Sequence, residues 1–217
     1  MIETERFSRQ RDVVPAERLA ECNIAIVGVG ALGRQVALQL AAVGAPRMML
    51  IDFDVVEQSN LASQGYLEAD LGRPKVQATA EQCRRINSRV EIIESNDRFR
   101  RSMDVGNVVF ACVDKIDARK IIWDSVKGDA SFFGDGRMTA EVIRILTASD
   151  ADSRQHYGST LFPQAEAYAG DCTSRMTVFT GNIAAGILIS QFSRWLRELP
   201  ASRDLTLNLL ADELSIL

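Results

Sequence analysis

Short apolar, β-branched runs alternate along the chain with segments of helical spacing. Asn23–Val29 (NIAIVGV) reads as a buried parallel strand, apolar on both faces. Ala31–Val43 follows with helical spacing and stops at Gly44, a residue suited to the left-handed cap of a helix end. Arg47–Ile51 is a second strand, closed by Asp52. After a polar loop, the pattern predicts a helix from about Pro74 to Ile86, with proline in its first turn. It then predicts strands at Val90–Glu94 and Val108–Val113, a helix at Ile116–Val126 and a strand at Ser131–Gly134. Strands and helices alternating at this spacing imply an α/β domain whose mainly parallel sheet carries helices on both faces.

The pattern changes toward the C-terminus. Glu141–Thr147 and Asp204–Leu210 alternate polar and apolar residues, as half-exposed antiparallel strands do. Between them a helix is expected from about Thr177 to Leu199, broken at Pro200. Its apolar stripe (Ile183, Ile187, Ile189, Phe192, Trp195) reads as core or dimer contact. Asp150–Gly170 shows no periodicity and reads as a long loop. There is no internal repeat and no linker, so residues 1–217 read as one domain, with a nucleotide-binding part at about 20–135.

Composition narrows the function classes. The 217 residues are 47% hydrophobic and 25% charged, within the range of folded domains. A formal net charge of −4 argues against general nucleic-acid binding, which needs a basic surface. No apolar run approaches the roughly 20 residues that span a bilayer. The charged N-terminus does not read as a signal peptide, which leaves the cytoplasm as the expected compartment. The four cysteines (22, 83, 112 and 172) form no CxxC pair, so neither a disulfide framework nor a structural zinc site is expected.

The chemistry begins at GVGALG, residues 28–33, between the first strand and the first helix. Gly28, Gly30 and Gly33 permit a tight turn and a close backbone approach, while Ala31 and Leu32 lead into a helix N-terminus that favours phosphate. Asp52, at the end of the second strand, is placed to accept hydrogen bonds from ribose hydroxyls. This much suits a redox dinucleotide in a Rossmann-like fold. The following residues favour a triphosphate instead: Asp54, Asn60, Gln64, then Gly72-Arg73-Pro74-Lys75 at a helix start. A second carboxylate suits magnesium, which prefers carboxylate and phosphate oxygens, and a lysine suits the β- and γ-phosphates. Asp114 adds a carboxylate at the C-terminal end of the fourth strand, the edge where α/β sheets bind ligands.

Taken in order, Arg6-Phe7-Ser8-Arg9-Gln10, GVGALG, DFDVVEQSNL, GRPK and Asp114 resemble the ThiF/MoeB/HesA family, relatives of the ubiquitin-activating enzymes. The resemblance implies ATP- and magnesium-dependent adenylation of the C-terminal glycine carboxylate of a ubiquitin-like or sulfur-carrier protein. It assigns Asp52 to the ribose, Asp54 and Asp114 to magnesium, Lys75 to the phosphates, and Asn60 and Gln64 to the phosphate site. Arg9 resembles the arginine that reaches the triphosphate from a neighbouring subunit, which implies a homodimer. One position departs from the pattern. Where the family reads Ser-Asn-Leu-x-Arg-Gln, this chain has Ser59-Asn60-Leu61-Ala62-Ser63-Gln64, so a phosphate-binding arginine is replaced by Ser63. Loss of a charge-assisted contact costs about 1.5–3 kcal/mol where it operates. Arg34 and Arg73 are the nearby cations that could compensate.

Cys172, in Gly170-Asp171-Cys172-Thr173, stands where family members that pass the acyl group to a thiol carry a Cys-Thr pair, although Gly170 replaces their proline. A thiol near a helix start is a competent nucleophile toward an acyl adenylate. Three readings stay open: adenylation followed by a thioester at Cys172, with a separate conjugating enzyme as a possible partner; activation of a different carboxylate; and a nucleotide-binding subunit without turnover.

Overall fold

The computed structural model describes residues 5–163 and 177–217. Eight strands form one sheet in the order β3-β2-β1-β4-β5-β6-β7-β8. They are β1 (Ile24–Val27), β2 (Arg47–Ile51), β3 (Glu91–Ser95), β4 (Val108–Ala111), β5 (Phe132–Thr139), β6 (Val142–Ala148), β7 (Asp204–Asn208) and β8 (Glu213–Ile216). From β3 to β5 all neighbours are parallel. From β5 to β8 they are antiparallel. This is the Rossmann-like arrangement expected, with its antiparallel part at the C-terminal end of the chain.

The helices are α1 (Ala16–Ala20), α2 (Gly33–Val43), α3 (Gln58–Gln64), α4 (Lys75–Ile86), α5 (Ile116–Val126), α6 (Ala151–Ser159) and α7 (Val178–Leu196). The period of two along each strand divides the core between the two faces of the sheet. Ile24, Ile26, Leu50, Phe110, Phe132 and Ile145 pack under α2, α4 and α7. Ala25, Val27, Ile51, Val109, Phe133 and Leu146 pack under α5 and against Tyr157 of α6. The stripe on α7 is mostly core: Ile189 and Phe192 are buried, Ile187 and Trp195 partly so, and Ile183 is exposed.

Three expectations need correction. The stretch after β2, expected as a polar loop, contains α3, Gln58–Gln64. Residues 151–159, inside the expected loop, form α6. Its sequence lacks an apolar stripe because the helix meets the core only through Ser153 and Tyr157, four residues apart. Its start is set instead by Asp150, whose side chain accepts the Ser153 N–H at 2.9 Å, a cap that stabilises by about 1 kcal/mol. A further strand that the pattern does not announce, β8, follows β7 and folds back on it. All four residues of β8 are exposed, so burial leaves no alternation in it to read.

Candidate functional site

Strand β1 lies between β2 and β4, and the ends of these three strands carry the candidate residues. Immediately after β1 the chain turns sharply. Gly28 has φ of +88°, and a Cβ there would lie 2.6 Å from the Cys112 carbonyl oxygen, so both conformation and packing require glycine. At Gly33 a Cβ would lie 1.8 Å from the Gly28 carbonyl oxygen, which fixes the first turn of α2 against the strand end. Gly30 differs. Its φ is not in the left-handed region, and a Cβ there would meet nothing nearer than the Gln64 side chain at 3.8 Å. Nothing inside the folded chain forbids a side chain at position 30, so the space above it is free for a ligand.

Asp52 is tied to this turn. One carboxylate oxygen accepts the Val29 N–H at 2.6 Å and the other accepts the Asp54 N–H at 2.9 Å. Its side chain is buried, and burial pushes its pKa above the usual carboxylate range, against the opposing pull of those two N–H bonds. Each oxygen keeps a lone pair for a further donor.

Residues 54–56 then run beside 72–75. The Lys75 N–H bonds the Asp54 carbonyl at 3.0 Å and the Val56 N–H bonds the Arg73 carbonyl at 2.9 Å. That pairing brings Lys75 Nζ to 3.0 Å from Asp54 Oδ2. The lysine is buried while the aspartate remains about half exposed, so a buried cation faces an open carboxylate. On α3, Asn60 is buried and its side-chain oxygen accepts the Glu57 N–H at 2.9 Å, which caps the helix. Gln64 Oε1 is buried beside Gly30 with no hydrogen-bond partner. An orphaned polar atom of this kind costs stability unless something satisfies it.

Asp114 is exposed just after β4, ahead of α5. Two strand spacings, roughly 10 Å, separate the ends of β2 and β4, so Asp54 and Asp114 follow the strand ends on either side of β1 and its glycine turn. No group of three or more possible metal-ligating side chains occurs among the described residues. Magnesium held by one or two carboxylates together with substrate phosphates needs no larger protein set, and these two residues fit that chemistry.

Other candidates fall elsewhere. Arg9 lies in a short 3₁₀ turn, Ser8–Gln10, whose Gln10 donates to the Val43 carbonyl at the C-terminal end of α2. The glycine turn is at the N-terminal end of that helix, about 16 Å away, so Arg9 stands apart from the glycine turn of its own chain. Cys172 lies outside the described residues. Ser63 is half-buried and its hydroxyl is spent on the Ser59 carbonyl at 2.8 Å. Arg73 does not replace the missing cation, since Asp70 and Glu81 hold it at 3.0 and 2.8 Å. Arg34 is buried over the Tyr66 ring, with its Nε unpartnered. His156, the single histidine, sits on α6 and meets Asp204 at 2.8 Å, far along the sheet from β1.

Two features escaped the sequence. Gly181 of α7 packs on the glycine turn, where a Cβ would lie 2.5 Å from the Ala31 carbonyl oxygen. A buried ionic cluster, Arg119, Asp135, Arg137 and Tyr157, also forms around Asp135 of β5, the register partner of the last residue of β4. Neither residue set carries a local pattern; each gains meaning only from contacts across the fold.

Similarity to known proteins agrees with this geometry. An adenylyltransferase and sulfurtransferase MOCS3 of Sus scrofa is 40% identical over 118 residues, covering 50% of this chain and 25% of that protein. A molybdopterin-synthase adenylyltransferase of Salmonella typhimurium is 32% identical over 125 residues, covering 52% of this chain and 50% of that protein. The chain thus spans half or less of the length of these curated relatives. The crystal structure of PaaA shares the fold, with a TM-score of 0.80 and 22% identity, covering 100% of this chain and 82% of that one. The ThiF family matches residues 6–179, a stretch that contains the glycine turn, Asp52, Asp54, Lys75 and Asp114 together, and the chain belongs to that family.

Proposed function

We propose that this chain binds ATP at the turn Gly28–Gly33 and adenylates a carboxylate. The observation that carries the reading is Gly30: it lies between the two glycines that the turn requires, and the open space over its backbone leaves room for a phosphate to approach the main chain. The neighbouring orphaned oxygen of Gln64 supports a polar ligand there, because the side-chain amide can turn to present its NH₂ to a phosphate.

In this reading Asp52 holds the ribose and the helix α2 N-terminus faces the phosphates. Magnesium, held by Asp54 and Asp114, would neutralise charge on the departing pyrophosphate. Lys75, buried and already beside Asp54, would contact the phosphates from the other side. The substrate carboxylate oxygen attacks the α-phosphorus, the α–β phosphoanhydride bond breaks, and pyrophosphate leaves. The names of the two curated relatives support an adenylyltransferase, and a ubiquitin-like or sulfur-carrier protein ending in glycine is the substrate we infer. The Cys172 thiolate would then attack the acyl carbon, forming a thioester and releasing AMP. Thr177 caps the helix whose Gly181 packs on the glycine turn at Ala31. Arg9, remote from its own glycine turn, would act in the site of a second copy, which makes the working unit a homodimer.

The experiment is exchange of labelled pyrophosphate into ATP, measured with candidate β-grasp proteins that end in Gly-Gly. Exchange should appear with the cognate partner. A thiol-sensitive adduct should form and be lost in Cys172→Ala, while exchange persists. A second reading, a nucleotide-binding subunit without turnover, is favoured by Ser63, whose hydroxyl is committed to its own helix. Tight ATP binding with no exchange for any carboxylate partner would select it and overturn adenylation.

A further inference from the structure

The ionic cluster beneath the site has an excess of positive charge. Asp135 is fully buried on β5, yet two arginines pair with it. Arg119 of α5 meets one carboxylate oxygen. Arg137 donates to the other at 2.8 Å, and the Tyr157 hydroxyl donates to that same oxygen at 3.0 Å. Burial pulls the Arg119 pKa down to about 10, and it remains a cation at neutral pH. A buried guanidinium is expensive unless its donors are used.

The two arginines use theirs differently. Arg137 turns toward the end of α6, where it donates to the Thr160 carbonyl at 3.1 Å and to the Thr160 hydroxyl at 3.0 Å. Arg119 turns toward the sheet end. It donates to the Val113 carbonyl and to the Gly136 carbonyl, the latter at 3.2 Å. Val113 is the residue before Asp114, and the Lys115 carbonyl that follows accepts the Arg119 N–H at 3.1 Å. The guanidinium therefore holds the start of the turn 113–115, while the bond to Lys115 is the ordinary first-turn backbone bond of α5. Gly136 in turn packs against the glycine turn, because a Cβ on it would lie 2.3 Å from the Leu32 side chain. Arg119 thus ties the segment after β4 to the residue of β5 on which Leu32 rests.

We infer that Arg119 is a positioning residue: its clamp on the Val113 and Gly136 carbonyls fixes where Asp114 stands relative to the glycine turn. This rests on the reading above, in which Asp114 serves magnesium. Arg137 shares the same buried carboxylate but faces away from Asp114, so it serves as the internal control.

The test uses the full chain and its Arg119→Gln, Arg119→Lys, Arg137→Gln and Asp114→Asn variants. ATP binding is measured calorimetrically with and without magnesium, beside thermal unfolding. Arg119→Gln should lose at least tenfold in ATP affinity with magnesium and far less without it. Arg119→Lys, which keeps the charge and one donor direction, should recover part of the loss. Arg137→Gln should lower Tm at least as much and leave the magnesium dependence of binding unchanged. The inference is overturned if Arg119→Gln lowers only Tm, or if Arg137→Gln shifts the magnesium dependence equally. Failure of both Arg119 variants to unfold cooperatively would assign the residue to the core and overturn it as well. If Asp114→Asn itself leaves the magnesium dependence unchanged, the role of Asp114 is wrong, a result distinct from an Arg119 failure with Asp114 intact.

Discussion

Replacing Asp52 with asparagine separates the structural work of this carboxylate from its role toward nucleotide. Its two oxygens accept the Val29 N–H at 2.6 Å and the Asp54 N–H at 2.9 Å, in a buried position. Asparagine offers one acceptor oxygen, and its NH₂ must face the other backbone N–H. One buried donor is then left unsatisfied, a cost of about 1–3 kcal/mol. The lower end of that range reflects an offset: burial disfavours the Asp52 charge, so a neutral side chain recovers part of the desolvation. For a chain of this size each kcal/mol corresponds to roughly 2–4 °C in Tm, so Asp52→Asn should unfold about 2–12 °C below the parent. Loss of a charge-assisted bond to a ribose hydroxyl should weaken ATP binding by about tenfold or more. Thermal unfolding with and without saturating ATP measures both effects. A variant within about 1 °C of the parent would refute the account of the strand end. A variant that is destabilised yet binds ATP with parental affinity would refute the ribose contact alone.

Other expectations are as direct. Gly33→Ala places a Cβ 1.8 Å from the Gly28 carbonyl, so it should abolish detectable ATP binding by calorimetry. Ser63→Arg restores a cation near the phosphates, and ATP affinity should rise by about 10- to 150-fold, the equivalent of 1.5–3 kcal/mol. An unchanged affinity would show that position 63 lies out of reach. Asp204 is pushed upward by burial but held below the usual carboxylate range by its hydrogen bonds from Arg144 and His156. A lowered folded pKa gives stability that is complete above the unfolded value near 4 and lost as pH falls through the folded value. Urea unfolding from pH 6 to 2 should therefore show a flatter acid limb for Asp204→Asn than for the parent.

The sequence by itself determined the parallel half of the fold and the place of the glycine turn. Strand β2 and helix α5 fall where the apolar pattern puts them, because these elements are buried enough to need continuous or periodic apolar residues. Gly28 and Gly33 are legible for a local reason: a strand that turns directly into a helix cannot carry a Cβ at either place. Helix α6 and strand β8 were not legible, since one meets the core through two residues and the other is exposed throughout. A period appears in sequence only where burial imposes it.

Tertiary structure decided which of the candidate residues meet. Lys75 comes to Asp54 through backbone pairing of residues 54–56 with 72–75. Arg9 is carried to the end of α2 away from the glycine turn of its own chain, and Arg73 is consumed by Asp70 and Glu81. The cluster of Arg119, Asp135, Arg137 and Tyr157 joins one strand and two helices by contacts as distant as 22 residues along the chain. Local propensity and periodicity report the environment of one element at a time. The pairing of charges depends on how several elements are laid side by side, which the chain settles only when it folds.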